Sequence, residues 1–349
     1  MVRKVIEIMI ILTGITILSF ISTGGIFAKD IFSFLYSSYT NSNGQRSFRP
    51  QGAIDLNFSD KTEFFLKYNS DLDTTTSASK SYRNYLSNYS SRYAVDSLTG
   101  ATSVDVISRA TLKFNDNRSD ILAGFKYKLS DSAVSYVSFD SILGNDFKSN
   151  TLSLAVNQNI FSKKTWLLTG VNRSTDEIFL ANNVLKESSA VYSFDFALAH
   201  IFSPNTLARI GYTYTQNPGS ASFSPSGSYI SNDITFLFYQ HLFTASGILL
   251  NYRYFNDTSD IGFHTIGLVY YHKFNSLLKI WPEVHYYTES GFNSTQGGLS
   301  VSYALSDNWE LNFKYSKDYY NYTVNGTSGE SDLIQLGLKL YSFENKKWE

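Results

Sequence analysis

The chain has 349 residues, a formal net charge of −1 and no cysteine. The near-zero charge argues against a nucleic-acid binder, because such proteins carry a strong basic excess. The lack of cysteine excludes disulfides, lipoprotein acylation, thiolate metal sites and covalent haem attachment, so the sequence predicts no cofactor.

Residues 1–28 have the composition of a secretory signal peptide. Two basic residues near the start precede an apolar run over residues 8–21, and a small residue, Ala28, closes the segment. A single spanning helix is the alternative, but the run is shorter than the ~20 residues that crossing a bilayer takes. The sequence therefore predicts a signal peptide followed by one domain over residues 29–349, because no linker or shift in composition interrupts the rest.

From about residue 52 to residue 343, apolar and polar side chains alternate along short segments that polar turns separate. One apolar and one polar face per segment is typical of strands in a membrane barrel, with lipid outside and water inside. In the last segment the apolar face holds Ile334, Leu336, Leu338 and Leu340, and the polar face holds Gln335, Gly337, Lys339 and Tyr341. The predicted fold is all-β, a transmembrane antiparallel up-and-down β-barrel in the outer membrane of a Gram-negative cell.

Short and long connections alternate from Ser130 onward. Because bacterial barrels have short periplasmic turns and longer extracellular loops, this alternation predicts a periplasmic C-terminus. The predicted short turns are 59–61, 130–132, 162–164, 203–206, 243–247, 275–276 and 306–308. The predicted long connections are 144–150, 172–188, 216–231, 256–262, 289–295 and 321–331.

The number of strands depends on the region before Ser130. Strand patterns cover 51–59, 62–72, 101–114 and 119–129, and weaker ones, rich in Ser and Tyr, cover 31–40 and 82–95. Both weak segments together would give about 18 strands, and neither would give about 16. An even count returns both termini to the periplasm, and we predict about 16 strands within a range of about 14 to 18.

A heptad of the form Asp-x-x-Ser/Thr-x-Ala-Ser/Thr occurs at 73–79, 96–102 and 105–111. An Asp followed by small hydroxyl residues suits turns in which the carboxylate accepts backbone hydrogen bonds. The same carboxylates could instead offer oxygen ligands to calcium, and the sequence leaves both interpretations open.

The heptads are followed by Asn117-Arg118, a strand pair around residues 130–132, and Ser149-Asn150-Thr151-Leu152. Over residues 50–175 this arrangement resembles an uncharacterised bacterial family, the domain of unknown function numbered three-five-seven-zero. The resemblance implies an outer-membrane barrel whose repeated Asp, Ser/Thr and Ala/Ser motifs precede the main run of strands. It also implies neighbours among thioredoxin-like and flavin-transferring lipoproteins. No chemistry known for the family chooses between a turn and a cation site.

The sequence holds five histidines, and none lies in a recognisable nucleophile motif. Three of them, His200, His264 and His272, share the apolar face of their strands near strand ends, which predicts positions at the membrane interface. We therefore predict that the protein is not an enzyme, with a hydrolase at the rim of the barrel as the least favoured alternative.

The charged residues opposite each apolar face are candidates for lining a pore. They are Asp105, Arg109, Lys113, Lys126, Lys128, Asp195, Arg209, Arg253, Lys279, Glu283, Glu310, Lys314 and Lys339. Cations outnumber carboxylates in this set, and fixed positive charge in a water-filled pore favours anions. The alternative is that many of these charges pair across strands and leave no net field.

These observations favour a porin-like channel for small solutes, with anions as the candidate class. A barrel that serves as the scaffold of a multi-protein complex, with a periplasmic redox or secretion partner, is the second hypothesis. Either protein would contact outer-membrane lipid and the barrel-assembly machinery, and neither would bind nucleic acid.

Overall fold

The computed structural model describes residues 31–41, 46–73, 118–143, 147–161, 164–180, 185–217, 229–258, 262–289, 291–306, 308–322 and 327–341. The predicted signal peptide, strand segments 82–95 and 101–114, the second and third heptads, and the first heptad apart from Asp73 lie outside these residues. Among the described residues there is no helix, and therefore none long and apolar enough to cross a membrane.

The described residues form sixteen strands. They are β1 (Ile31–Asn41), β2 (Arg46–Ser59), β3 (Thr62–Asp73), β4 (Arg118–Ser130), β5 (Ala133–Leu143), β6 (Phe147–Asn159), β7 (Thr165–Leu180), β8 (Leu185–Ser203), β9 (Thr206–Asn217), β10 (Tyr229–Phe243), β11 (Ser246–Asp257), β12 (Gly262–Lys273), β13 (Leu278–Glu289), β14 (Phe292–Ala304), β15 (Trp309–Tyr322) and β16 (Thr327–Tyr341).

Each strand pairs antiparallel with the next, and β1 pairs with β16, so the sheet closes on itself as a barrel. At the closure Phe34 lies opposite Leu338 on one side and opposite Gly52 on the other. Closure leaves no sheet edge with unpaired backbone groups, which is the condition for a sheet in lipid. The predicted fold and strand number are confirmed.

Several predicted connections are in fact strand. The predicted loop 172–188 is mostly β7 and β8, with only residues 181–184 between them, and 289–295 is reduced to residues 290–291. Polar residues beyond the apolar part of a strand still pair through their backbones, so polarity alone does not mark where a strand ends. The weak segment 31–40 is also strand, and it supplies β1.

The connections at the two ends of the barrel are similar in length except for two long ones, which lie at the same end. The end that carries the connections 74–117 and 218–228 is here called the loop side, and the opposite end, with both β1 and β16 termini, the turn side. Since β3 pairs directly with β4, the strand count of 16 is complete without residues 74–117.

The turn side repeats one local sequence. At each of the seven turns an apolar Phe or Leu precedes a Ser, Thr or Asn, as in Phe58-Ser59 and Phe274-Asn275. At five of these turns the polar residue, Ser59, Ser130, Ser203, Asn275 or Ser306, accepts a hydrogen bond from a backbone amide of the turn through its side chain. Ser59 Oγ, for example, accepts from the Lys61 and Thr62 amides at 3.2 and 3.1 Å. A short side chain that satisfies turn amides is the reason these residues are favoured there.

The outer face of the barrel is apolar around its whole circumference. On twelve of the strands, representative outward side chains that are exposed in the isolated chain are Phe34, Ile121, Phe139, Leu154, Val171, Phe194, Ile210, Ile266, Val284, Leu299, Phe313 and Leu336. Towards the loop side this belt gives way to polar contacts, such as the Lys317–Glu330 ion pair at 2.9 Å. An apolar belt with a polar boundary is the surface that fits a bilayer.

Candidate functional site

The inner wall of the barrel is made by the side chains whose parity is opposite to the apolar belt. On β16, for example, Leu336 is 54% exposed outside, whereas Gln335 is 7% exposed inside and donates to Ser37 Oγ on β1 at 3.0 Å. The inner wall is polar and crowded, and its serines are among the most buried side chains described. It is the part of the molecule that could contact a solute.

The structure places ten of the predicted pore-lining residues on the inner wall by parity. They are Lys126, Lys128, Asp195, Arg209, Arg253, Lys279, Glu283, Glu310, Lys314 and Lys339. Asp105, Arg109 and Lys113 lie outside the described residues.

One group of inner charges lies on β8 to β11. Arg253 Nε donates to both carboxylate oxygens of Asp233, at 2.9 and 2.8 Å, and Nη2 also bonds Oδ2. Two strands away, Asp195 accepts from Thr213 Oγ1 and from Asn172 Nδ2, each at 2.6 Å. These carboxylates are held by specific donors, so the group is rigid.

A second group lies on β13 to β15. Glu283 pairs with Lys314 across the intervening strand, and Lys279 Nζ lies 3.5 Å from Glu310 Oε2. The Glu283–Lys314 contact passes over Gly298 of β14, where an added Cβ would lie 2.8 Å from Glu283 Oε1. Glycine is therefore required at this point for two side chains on alternate strands to meet.

His285 lies beside this second group. Its ring is 3% exposed, its Nε2 is 3.8 Å from Glu283 Oε2, and it packs over Gly267 of β12. His200 and His272 instead belong to the outer side, where they bond Thr165 Oγ1 at 2.8 Å and Ser246 Oγ at 2.7 Å. His264 also points outward, to Tyr252 at 2.9 Å, so the predicted outward placement of these three holds.

The inner wall carries carboxylates that were not among the predicted residues. By parity these are Asp55, Glu63, Asp120, Asp140, Asp233, Glu289 and Asp318, against two further cations, Lys67 and Lys273. Among the described residues both signs of charge are therefore represented in similar numbers. Parity applied strand by strand identifies Asp233, since it adjoins Ile234 in an alternating run; the others come from the poorly bounded early strands and strand ends.

Within the described residues no three His, Asp or Glu side chains are arranged to hold a metal ion. A cavity of about 20 Å³ lies against the wall between β5 and β8, bordered by Tyr136, Ser153 and Asp195. That volume suits a single water molecule, not a solute.

An apolar outer belt, a closed sheet and a polar inner wall together define an outer-membrane type of β-barrel. A solved bacterial polysaccharide outer membrane secretin matches 90% of this chain and 99% of its own, with a TM-score of 0.57 and 9% identity. CdiB from Acinetobacter baumannii matches 90% of this chain and 60% of its own, with a TM-score of 0.59 and 8% identity. Neither a known protein family nor a curated protein matches the sequence. The shared feature is the fold, and the family resemblance stays a prediction.

Proposed function

We propose that the protein is an outer-membrane channel for small solutes. The observation that carries the proposal is the closed wall with opposite faces, apolar towards lipid and charged towards the interior. A charged and polar interior is the kind of lining along which a hydrated solute can pass. The crowding of the inner wall favours ions and small molecules over folded proteins.

The placement in the cell follows from the same proposal. The two longest connections, 74–117 and 218–228, share one end of the barrel, and long loops face the outside in bacterial barrels. The turn side and the C-terminus would then face the periplasm, and insertion would use the barrel-assembly machinery.

Charge selectivity in this proposal depends on the cations near the turn side. Lys339 lies on β16 directly opposite Glu310 of β15, and its Nζ is 5.5 Å from the centre of the Tyr341 ring. Because carboxylates accompany most inner cations, any anion preference is modest and depends on individual lysines. Replacing Lys339 by Gln is preferable to Glu as a test, since Glu would face Glu310 and add like-charge repulsion.

The experiment is conductance across planar bilayers by the refolded full-length mature chain. We expect stepwise single-channel currents, and a reversal potential under a salt gradient that moves towards cations in Lys339→Gln. Lys61→Gln, an exposed turn position, is the matched control and leaves the reversal potential unchanged. Folded protein that inserts but carries no current would contradict the channel.

A scaffold for a partner protein is the second candidate, and it is favoured by how completely the inner side chains are buried. Ser302, Ser316 and Ser331 are each no more than 2% exposed. Their side chains are therefore packed more tightly than the wall of an open channel requires. A barrel of this kind would recruit periplasmic redox or secretion proteins. Chemical cross-linking in intact cells followed by co-purification tests it, and recovery of the barrel alone would contradict it.

A further inference from the structure

Five aromatic residues lie together on the inner wall at the loop side of the barrel. Phe255, Phe263, Tyr287, Phe292 and Tyr320, here called the mouth cluster, come from five consecutive strands, β11 to β15. Each lies within two residues of the loop-side end of its strand, and each has the parity of the inner wall. They therefore stand side by side around part of one opening.

The rings contact one another in order around the wall. The centroid distances are 5.0 Å for Phe255–Phe263, 5.3 Å for Phe263–Tyr287, 5.7 Å for Tyr287–Phe292 and 6.4 Å for Phe292–Tyr320. Phe255, Phe263 and Phe292 are 2 to 3% exposed, although they point away from lipid. Apolar side chains that are buried inside a polar barrel fill interior space and thicken the wall.

Polar contacts hold the cluster in place at several points. The guanidinium carbon of Arg253 lies 5.2 Å from the centre of the Phe263 ring, and Arg253 is itself fixed by Asp233. The Tyr287 hydroxyl donates to Glu289 Oε2 at 2.5 Å, and the Tyr320 ring packs over Gly329 of β16. The mouth cluster is thus continuous from β11 to β16 and anchored to buried charges.

Other strands carry smaller side chains at the equivalent inner positions, within two residues of their loop-side ends. They are Asp120 on β4, Ile142 on β5, Ser149 on β6, Thr215 on β9 and Ser231 on β10. Among the described side chains at these positions, the aromatic rings are therefore gathered on β11 to β15.

We infer that the mouth cluster narrows the loop-side opening and so sets the size limit for solutes that enter there. Phe263 and Phe292, which are only 2 to 3% exposed, act by thickening the wall and not by touching the solute. The inference rests on the proposed channel. The Arg253 guanidinium beside the Phe263 ring is paired with Asp233, so the cluster sits against a neutralised ion pair. Removing either ring should therefore widen the opening without adding net charge to it.

The test compares Phe263→Ala and Phe292→Ala with Phe236→Ala and Phe313→Ala, which lose the same rings from the outer face. Single-channel conductance in the first pair should rise by about twofold or more, and larger neutral polyethylene glycols should enter the pore from the loop side. The reversal potential under a salt gradient should stay unchanged in both variants, because Arg253 remains paired with Asp233. The outer-face pair should match the unmodified chain in all three measurements.

The outcomes separate this inference from the proposed channel. Equal conductance and equal polymer exclusion in all variants would overturn the constriction and leave the channel intact. A folded chain that is silent in every form would overturn both. Phe263→Leu and Phe292→Leu, which keep an apolar side chain, give the same comparison if the alanine variants fail to fold.

Discussion

At the scale of single residues, the inner wall works by fitting long charged side chains over glycine. Glu283 reaches Lys314 only because Gly298 lies between them, and His285 packs over Gly267 in the same way. The outer face imposes no such constraint, because lipid adapts to its shape. The same substitution should therefore lower stability at an inner position and leave it unchanged or raise it at the adjacent outer position.

Gly298→Ala and Gly297→Ala form such a pair on β14. A Cβ at residue 298 would lie 3.0 Å from Glu283 Cγ and 3.0 Å from Ser316 Cβ, whereas nothing lies within 4 Å of a Cβ at residue 297. Overpacking should cost Gly298→Ala about 1 to 3 kcal/mol in the free energy of unfolding. Gly297→Ala should gain about 0.5 kcal/mol, because Ala restricts the unfolded chain. Urea unfolding in lipid vesicles measures both, and equal stability of the two variants would contradict the assignment of faces.

Ion pairs on the inner wall should differ in strength with burial. Asp233→Asn removes the charge that Arg253 bonds, at a site where both side chains are 4% exposed, and should cost about 3 kcal/mol of stability. Glu63→Gln breaks the Lys126 pair, 3.0 Å long with side chains 39% and 30% exposed, and should cost no more than about 1 kcal/mol. The same urea titration compares them, and a larger loss for Glu63→Gln would reverse the argument.

At the scale of the strand, alternation assigns every side chain to lipid or to the interior. Two neighbouring positions on β15 show this: Phe313 is 42% exposed on the outer face, and Asn312 points inward opposite Gly337. The two positions differ in their surroundings: residue 313 faces lipid, whereas residue 312 faces the interior, where water can hydrate a charge.

Phe313→Arg should cost about 2 to 4 kcal/mol if the side chain lies near the bilayer midplane, or should prevent insertion. Asn312→Arg introduces the same residue one position away and should cost about 1 kcal/mol or less. Heat-modifiable migration on gels, with and without vesicles, reports folding and insertion for both. Normal insertion of Phe313→Arg together with failure of Asn312→Arg would mean that the register of β15 is off by one residue.

At the scale of the whole molecule, the fold depends on one long-range pairing. β1 and β16 come from opposite ends of the described chain, and Tyr36 lies directly opposite Leu336 in their register. All other pairings join strands that are consecutive in sequence. Closure is therefore the step that turns fifteen hairpin-like pairings into a barrel.

Engineered cysteines test the closure, since the chain has no cysteine of its own. Tyr36→Cys with Leu336→Cys should form a disulfide on mild oxidation, because directly opposed Cα atoms in antiparallel strands are about 4.5 to 5.5 Å apart. Tyr36→Cys with Phe313→Cys, two strands away, should not. A mass decrease of two hydrogens in the first variant only is the expected readout, and oxidation of neither or of both would contradict the closure.

Sequence patterns could locate most strands but not their ends. The alternation in β16 and β15 is regular, and both strands lie where it predicts them, whereas β7 and β8 extend well into a segment that polarity marked as loop. The ten predicted inner residues that the structure describes follow from parity alone. The omitted carboxylates, Asp233 above all, made the interior look more basic than it is.

The sequence by itself determined the two faces of each strand, because the alternation of apolar and polar residues can be recognised within each segment without knowing its neighbours. Which inner side chains meet was decided by the tertiary structure. Glu283 and Lys314 lie on alternate strands, and the mouth cluster gathers rings from five. Such contacts depend on the tilt of the strands and the register around the closed barrel, which no single segment encodes.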